Sequence, residues 1–171
     1  MKDDTGTLGI RGRFFVQHRD REGRLLQEFA FRNGAATAGL NNVLDVYLRN
    51  QTPTATWYLG LISATSFTAV AAGDTMASHS GWIEDQDYSE AVRQTYSPGA
   101  AASGLISNSG STAVFTSNAG SNQIKGVFLS SVNTKGGTTG TLFATGLFPA
   151  TVTMANLDTL PITYEVELLA L

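Results

Sequence analysis

Gly104 to Phe148 reads GLISNSGSTAVFTSNAGSNQIKGVFLSSVNTKGGTTGTLFATGLF. Short apolar runs, Leu105-Ile106, Ala113 to Phe115, Ile124 to Leu129 and Thr141 to Leu147, alternate with clusters of Ser, Asn, Gly and Thr. That punctuation is the spacing of short strands in an antiparallel sandwich or jelly roll. The interleaved Val, Phe, Ile and Leu argue against disorder, which a tract of Ser, Thr and Gly alone would suggest. Lys135-Gly136-Gly137-Thr138-Thr139-Gly140 predicts a long hairpin turn with positive φ values. Toward the C-terminus, Val152 to Met154 and Thr159 to Leu168 continue the pattern. In the latter, Ile162, Tyr164, Val166 and Leu168 alternate with Thr163, Glu165 and Glu167, as in a half-buried strand. Pro161 near its start suggests an edge strand or a first-residue position.

Upstream, Thr56 to Arg93 opens with Trp57-Tyr58-Leu59-Gly60-Leu61-Ile62, an aromatic and branched run suited to a strand covered on both faces. A long connection follows, carrying Asp74, His79, Trp82, Glu84, Asp85, Asp87 and Glu90. Ala35 to Arg49 is the one convincing helix, with Leu40, Val43, Leu44 and Tyr47 forming an apolar stripe expected to be buried. Asn33 is expected to cap it, and Arg49 to complement the dipole at its end. Gly12 to His18 and Arg24 to Phe31 flank the charged turn Arg19-Asp20-Arg21-Glu22-Gly23 and predict a β-hairpin, preceded by an aperiodic arm from Met1 to Gly9. The expected fold is therefore mainly β, an antiparallel sandwich of about nine or ten strands with one helix. Residues 1–32 would form an N-terminal arm and hairpin, and residues 33–171 the body.

Charged residues make up only 15% of the 171 residues, so much of the surface is finished with uncharged polar groups that cost less to desolvate at an interface. The net charge of −3 offers no general attraction to nucleic acid or an anionic membrane. Residues 1–32 hold seven bases and five acids, and the remainder holds four bases and nine acids. An Arg-rich entry is thus expected to meet an acidic body, in the same chain or a neighbouring one. With no cysteine, disulfides and thiolate chemistry are excluded. No apolar leader opens the sequence and no run is long enough to span a bilayer, so export and membrane insertion are not expected.

Each candidate for chemistry has a plainer reading. The acidic loop Glu84 to Asp87 could supply oxygen ligands to Ca²⁺ but has no EF-hand spacing, and the alternative is a solvated loop or one paired with Arg93 and the N-terminal arginines. Two carboxylates across a sugar cleft would suit glycoside hydrolysis, with Trp57 and Trp82 as platforms, yet no acid lies between Glu90 and Asp158. His18 and His79 are the only histidines, and no G-x-S-x-G elbow accompanies them. The glycine-rich 135–140 segment lacks the P-loop pattern. Catalytic residues, cofactor and metal are therefore not expected. Arg11, Arg13, Phe14, Phe15, Arg24, Trp82 and Tyr88 are the candidates for an interface, read as protein contact rather than nucleic-acid contact.

Four segments carry a family resemblance: Asn33 to Asn41 (NGAATAGLN), Trp57 to Ile62 (WYLGLI), Ala72 to Trp82 (AGDTMASHSGW) and Lys135 to Leu142 (KGGTTGTL). They resemble a family of small virion proteins of tailed bacteriophages, nearest to capsid decoration, or cement, proteins. The resemblance implies a structural protein without enzymatic activity, made in the cytoplasm of the host bacterium and carried on the capsid surface of the virion. Its expected partners are the major capsid protein and its own copies, as a trimer or a dimer. A tail-associated protein of the tip, baseplate or fibre, binding tail proteins or a host-surface glycan, is the alternative.

Overall fold

The structure is a computed structural model and describes residues 8–170. Met1 to Thr7, most of the expected arm, lies outside the described residues. The chain forms two antiparallel sheets. In the first, β2 (Leu25–Arg32) pairs with β1 (Leu8–Arg19), β1 with β11 (Thr159–Ala170), and β11 with β7 (Leu105–Ser107) and β8 (Ala113–Thr116). In the second, β3 (Gly34–Ala35) pairs with β10 (Leu142–Met154), then β9 (Asn122–Ser130) and β4 (Trp57–Ser63) follow, with β5 (Glu84–Asp85) and β6 (Gln94–Tyr96) both on the far side of β4. This is the expected mainly-β sandwich with one helix.

Between the sheets, Phe14 and Val16 of β1, Phe115 of β8 and Leu160, Ile162 and Tyr164 of β11 meet Leu59 and Leu61 of β4, Ile124, Val127 and Leu129 of β9 and Phe148 and Val152 of β10. The second sheet is covered on its other face as well. Ile62, Phe128 and Leu142 project outward there and are roofed by Met76, Trp82, Phe67 and Val70 from the connection after β4. Double coverage is why β4 reads as an unbroken apolar run, as does Val127 to Leu129 of β9, whereas β11, with one face open, alternates. The first sheet leaves its outer face to solvent, where Arg11 lies opposite Glu167 and Arg13 opposite Glu165. Turn chemistry matches expectation at Gly23, with φ of +82°, and at Gly136 and Gly140, with φ of +70° and +93°.

Three expectations need correction. The N-terminal hairpin is no appendage, because β1 lies between β2 and β11 and contributes Phe14 and Val16 to the main core. β11 is interior to its sheet and Pro161 is its third residue, so it is at neither an edge nor a first position; it falls in the gap of the β1 ladder between Ile162, opposite Val16, and Thr159, opposite Arg19. The helix, α1 (Thr37–Leu48), is shorter than Ala35 to Arg49, and Ala36, not Asn33, stands at its start, with no side-chain cap. Its apolar stripe also faces the other way. Gly39 is buried on β10 and Val43 and Val46 are half-buried, while Leu44, Tyr47 and Leu48 are 54%, 82% and 79% exposed. The reason is close packing at Gly39, where an added Cβ would lie 2.5 Å from the Phe143 carbonyl oxygen. Only a glycine lets the helix axis approach β10 so closely, and that choice of face turns Leu40, Leu44 and Tyr47 outward.

Gly39→Ala tests this packing, because helix propensity alone would stabilise by about 1 kcal/mol. The clash reverses the sign, and a net loss of about 1 to 2 kcal/mol is expected in urea unfolding.

Candidate functional site

The connection between β4 and β6, where polar chemistry is densest, is bound into the fold by a buried ion pair. Arg93 is fully buried, and its Nε and Nη2 donate to the two carboxylate oxygens of Glu84 at 2.9 and 2.7 Å. Its remaining donors reach the carbonyls of Val132 at 2.8 Å and Gly137 at 2.8 Å, and the guanidinium lies 5.1 Å from the Phe128 ring centroid. Glu84 also accepts the Gly136 amide at 2.8 Å. The planar fork of arginine is what lets one cation serve a carboxylate and two carbonyls at once. The glycine-rich 135–140 turn is therefore a cradle for an internal ion pair. Of the acidic loop, Glu84 is paired with Arg93, while two of the N-terminal arginines find partners within their own hairpin: Arg24 with Asp20 at 2.9 Å and Arg21 with Glu22 at 2.6 Å.

Around this pair, Lys135 Nζ donates to the Tyr88 carbonyl at 2.7 Å and sits 3.8 Å from the Tyr88 ring centroid. The Tyr88 hydroxyl is buried without a hydrogen-bond partner, and burial, reinforced by Glu84, raises its pKa. Asp85 is buried beside it and accepts from Asn122 Nδ2 at 3.0 Å. Burial pushes its pKa up to about 6, against the pull of that hydrogen bond.

The histidines serve packing. His18 is buried with Nε2 2.9 Å from Asp158 Oδ2, which also accepts the Ala155 amide at 2.9 Å. His79 stacks on Trp82 with ring centroids 3.9 Å apart, and its Nδ1 lies 2.9 Å from the Trp82 carbonyl. Trp82 Nε1 donates to Asp74 at 2.9 Å. Among the described residues, no three metal-ligating side chains converge.

The expected interface residues separate into two groups. Phe14, Trp82 and Tyr88 are buried within the chain and cannot meet a partner, because each completes a core or roof cluster. Arg11, Arg13 and Arg24 are exposed, and Phe15 is partly covered by the Arg13 guanidinium, 4.9 Å from its ring centroid. What the sequence reading missed is the outward face of α1. Leu40, Leu44, Tyr47 and Leu48 form an uncharged ridge bordered by Asp45 and Arg49, which pair with each other at 2.9 Å. Beside it runs a groove of about 540 Å³ between α1 and the open end of the sandwich, lined by Val43, Val46, Trp57, Ile106, Phe143 and Val166. A soluble surface rarely leaves such large apolar side chains together in the open without a contact to make.

Two measurements check the buried charges. Arg93→Ala leaves the Glu84 carboxylate buried without its cation and is expected to cost about 3 to 5 kcal/mol in urea unfolding. The raised pKa of Asp85 means that the folded chain holds a proton the unfolded chain releases, so its contribution to stability is full below about pH 4 and is lost as pH rises through about 6. Asp85→Asn, which keeps an oxygen for Asn122, is expected to be more stable than the parent above pH 6, with the difference shrinking as pH falls to 4. In comparisons with protein-family models, curated proteins and solved structures, nothing matched this chain.

Proposed function

We propose that this chain is a structural bacteriophage virion protein, a capsid decoration or cement protein that binds the shell of the major capsid protein and associates with its own copies. The observation that carries the reading is the uncharged ridge of α1 with the apolar groove beside it. The resemblance of the Asn33, Trp57, Ala72 and Lys135 segments to phage virion proteins supplies the partner. The reading takes the protein as a binder and not an enzyme, in keeping with the use of His18, His79, Glu84 and Arg93 as internal ties.

A helix of 12 residues is about 18 Å long, so its ridge covers only a few hundred Å². Standard stable interfaces bury roughly 800 Å² per partner. One ridge on one shell site would hold weakly, and copies joined to each other would bind far more tightly through effective concentration. Binding only the closed shell then stabilises it by mass action. Trp82 and Tyr88 exposed in a cleft would favour a tail-associated protein that binds a glycan, but both are buried.

Labelled protein added to purified shells tests the proposal. Tyr47→Asp combined with Leu48→Asp, two exposed positions, is expected to leave folding intact and weaken shell binding at least about tenfold. Undiminished binding by this variant, or cryo-electron density placing the protein on the tail, overturns the reading.

A further inference from the structure

The strand β2 is the outer edge of its sheet, with β1 as its only neighbour among the described residues. The Asn33 amide donates to the Gly12 carbonyl at 3.2 Å. By the alternation of an antiparallel ladder, Phe31, Phe29 and Gln27 also turn their backbone groups toward β1. Glu28, Ala30 and Arg32 then point their amides and carbonyls away from the sheet. Natural edges are usually shortened, charged inward, bulged or broken by proline. From Gln27 to Arg32, β2 has no proline, bulge or inward-pointing charge, and its two exposed charges, Glu28 and Arg32, are of opposite sign.

We propose that β2 pairs with β2 of a second copy about a two-fold axis at Ala30, joining the two sheets into one. This deepens the self-association part of the proposed function and rests on that part alone. Among registers whose axis falls on a residue with outward backbone groups, charge and free backbone select one. A pairing centred on Glu28 sets Glu28 against Glu28 and Arg24 against Arg32, both repulsive. One centred on Leu26 needs the backbone of Arg24, whose amide already donates to Asp20 Oδ1 at 2.8 Å and whose carbonyl accepts the Asp20 amide at 3.0 Å. The pairing centred on Ala30 sets Glu28 against Arg32 of the second copy, and Arg32 against Glu28, with small side chains on the axis and free backbone groups throughout.

Two features of the single chain fit this register. Arg32 lies directly opposite Arg13 on β1, a like-charge pair that an incoming Glu28 would offset. On the other face, Phe29 and Phe31 are only half-buried, although they cluster with Phe148 at centroid distances of 5.0 and 5.4 Å. The same register sets Phe29 against Phe31 of the second copy at the closer type of antiparallel position, so both pairs of rings are covered. A two-fold pairing of this kind closes at two copies and makes a dimer.

The chain contains no cysteine, so a single introduced thiol reports the axis without interference. In the full chain, Ala30→Cys is expected to form a disulfide-linked dimer under mild oxidation, since directly opposed residues lie about 5.5 Å apart between Cα atoms, within disulfide range. Leu26→Cys is expected to stay unlinked. By sedimentation at tens of micromolar the parent is a dimer, Glu28→Arg dimerises about tenfold or more weakly, and Glu28→Arg with Arg32→Glu regains the affinity. A monomeric parent, cross-linking through Leu26→Cys in place of Ala30→Cys, or an unaffected Glu28→Arg dimer overturns the proposal. Shell binding measured alongside separates the two readings: a monomer that binds shells overturns the edge pairing and the self-association but leaves the shell assignment standing, and a dimer that ignores shells overturns only the shell assignment.

Discussion

The rest of the structure depends on apolar cover reaching both faces of the sheet that contains β4, β9 and β10. One face is closed by the opposite sheet, the other by the chain itself, which leaves β4, passes over Ile62, Phe128 and Leu142, and seats Met76 and Trp82 on them. A loop so placed must satisfy its own polar groups, and that need explains the ties around it. Asp74 accepts from the Trp82 indole, and His79 caps Trp82 by stacking and by bonding its carbonyl. Farther along, Arg93 fastens Glu84 and the 135–140 turn together over Phe128. The dense polar chemistry of this region is therefore the cost of burying a long connection.

Much of the fold could be read from the sequence because its signals are local. Strand runs separated by Gly, Ser and Asn, the charged turn ending at Gly23 and the glycines of the 135–140 turn each carry their own geometry. The unbroken apolar run of β4 correctly implied cover on both faces. The helix face was a different matter. Periodicity finds a stripe but not its direction, and Gly39, which by propensity only costs helix stability, is the contact that decides orientation. The separation of an N-terminal arm failed for a related reason: β1 lies against β11, about 150 residues away, and no local pattern announces that pairing.

The site was less legible. Acidity around Glu84 and the nearness of Arg93 suggested an ion pair, but its partner carbonyls at Val132 and Gly137 come from a turn some forty residues on. Trp82 and Tyr88 looked like contact residues because large aromatics often anchor interfaces. In a sandwich with a roofed sheet, the same residues serve as interior filling. Conversely, Tyr47 and Leu48 drew no notice as surface groups because a helical apolar stripe ordinarily faces inward.

The pairing of the first long strand with the last has a bearing on biosynthesis. As the ribosome delivers the chain, β1 appears well before its neighbour β11, since Leu8 meets Ala170 and Arg19 meets Thr159. At typical elongation rates of roughly 5 to 20 residues per second, β1 waits on the order of ten seconds or more with one side open. During that interval the nascent hairpin of β1 and β2 presents two unsatisfied edges, and neighbouring chains on one polysome are the nearest strands available to it. This sheet closes only after about 140 further residues have been added beyond β1, and encounters between nascent hairpins compete with that closure.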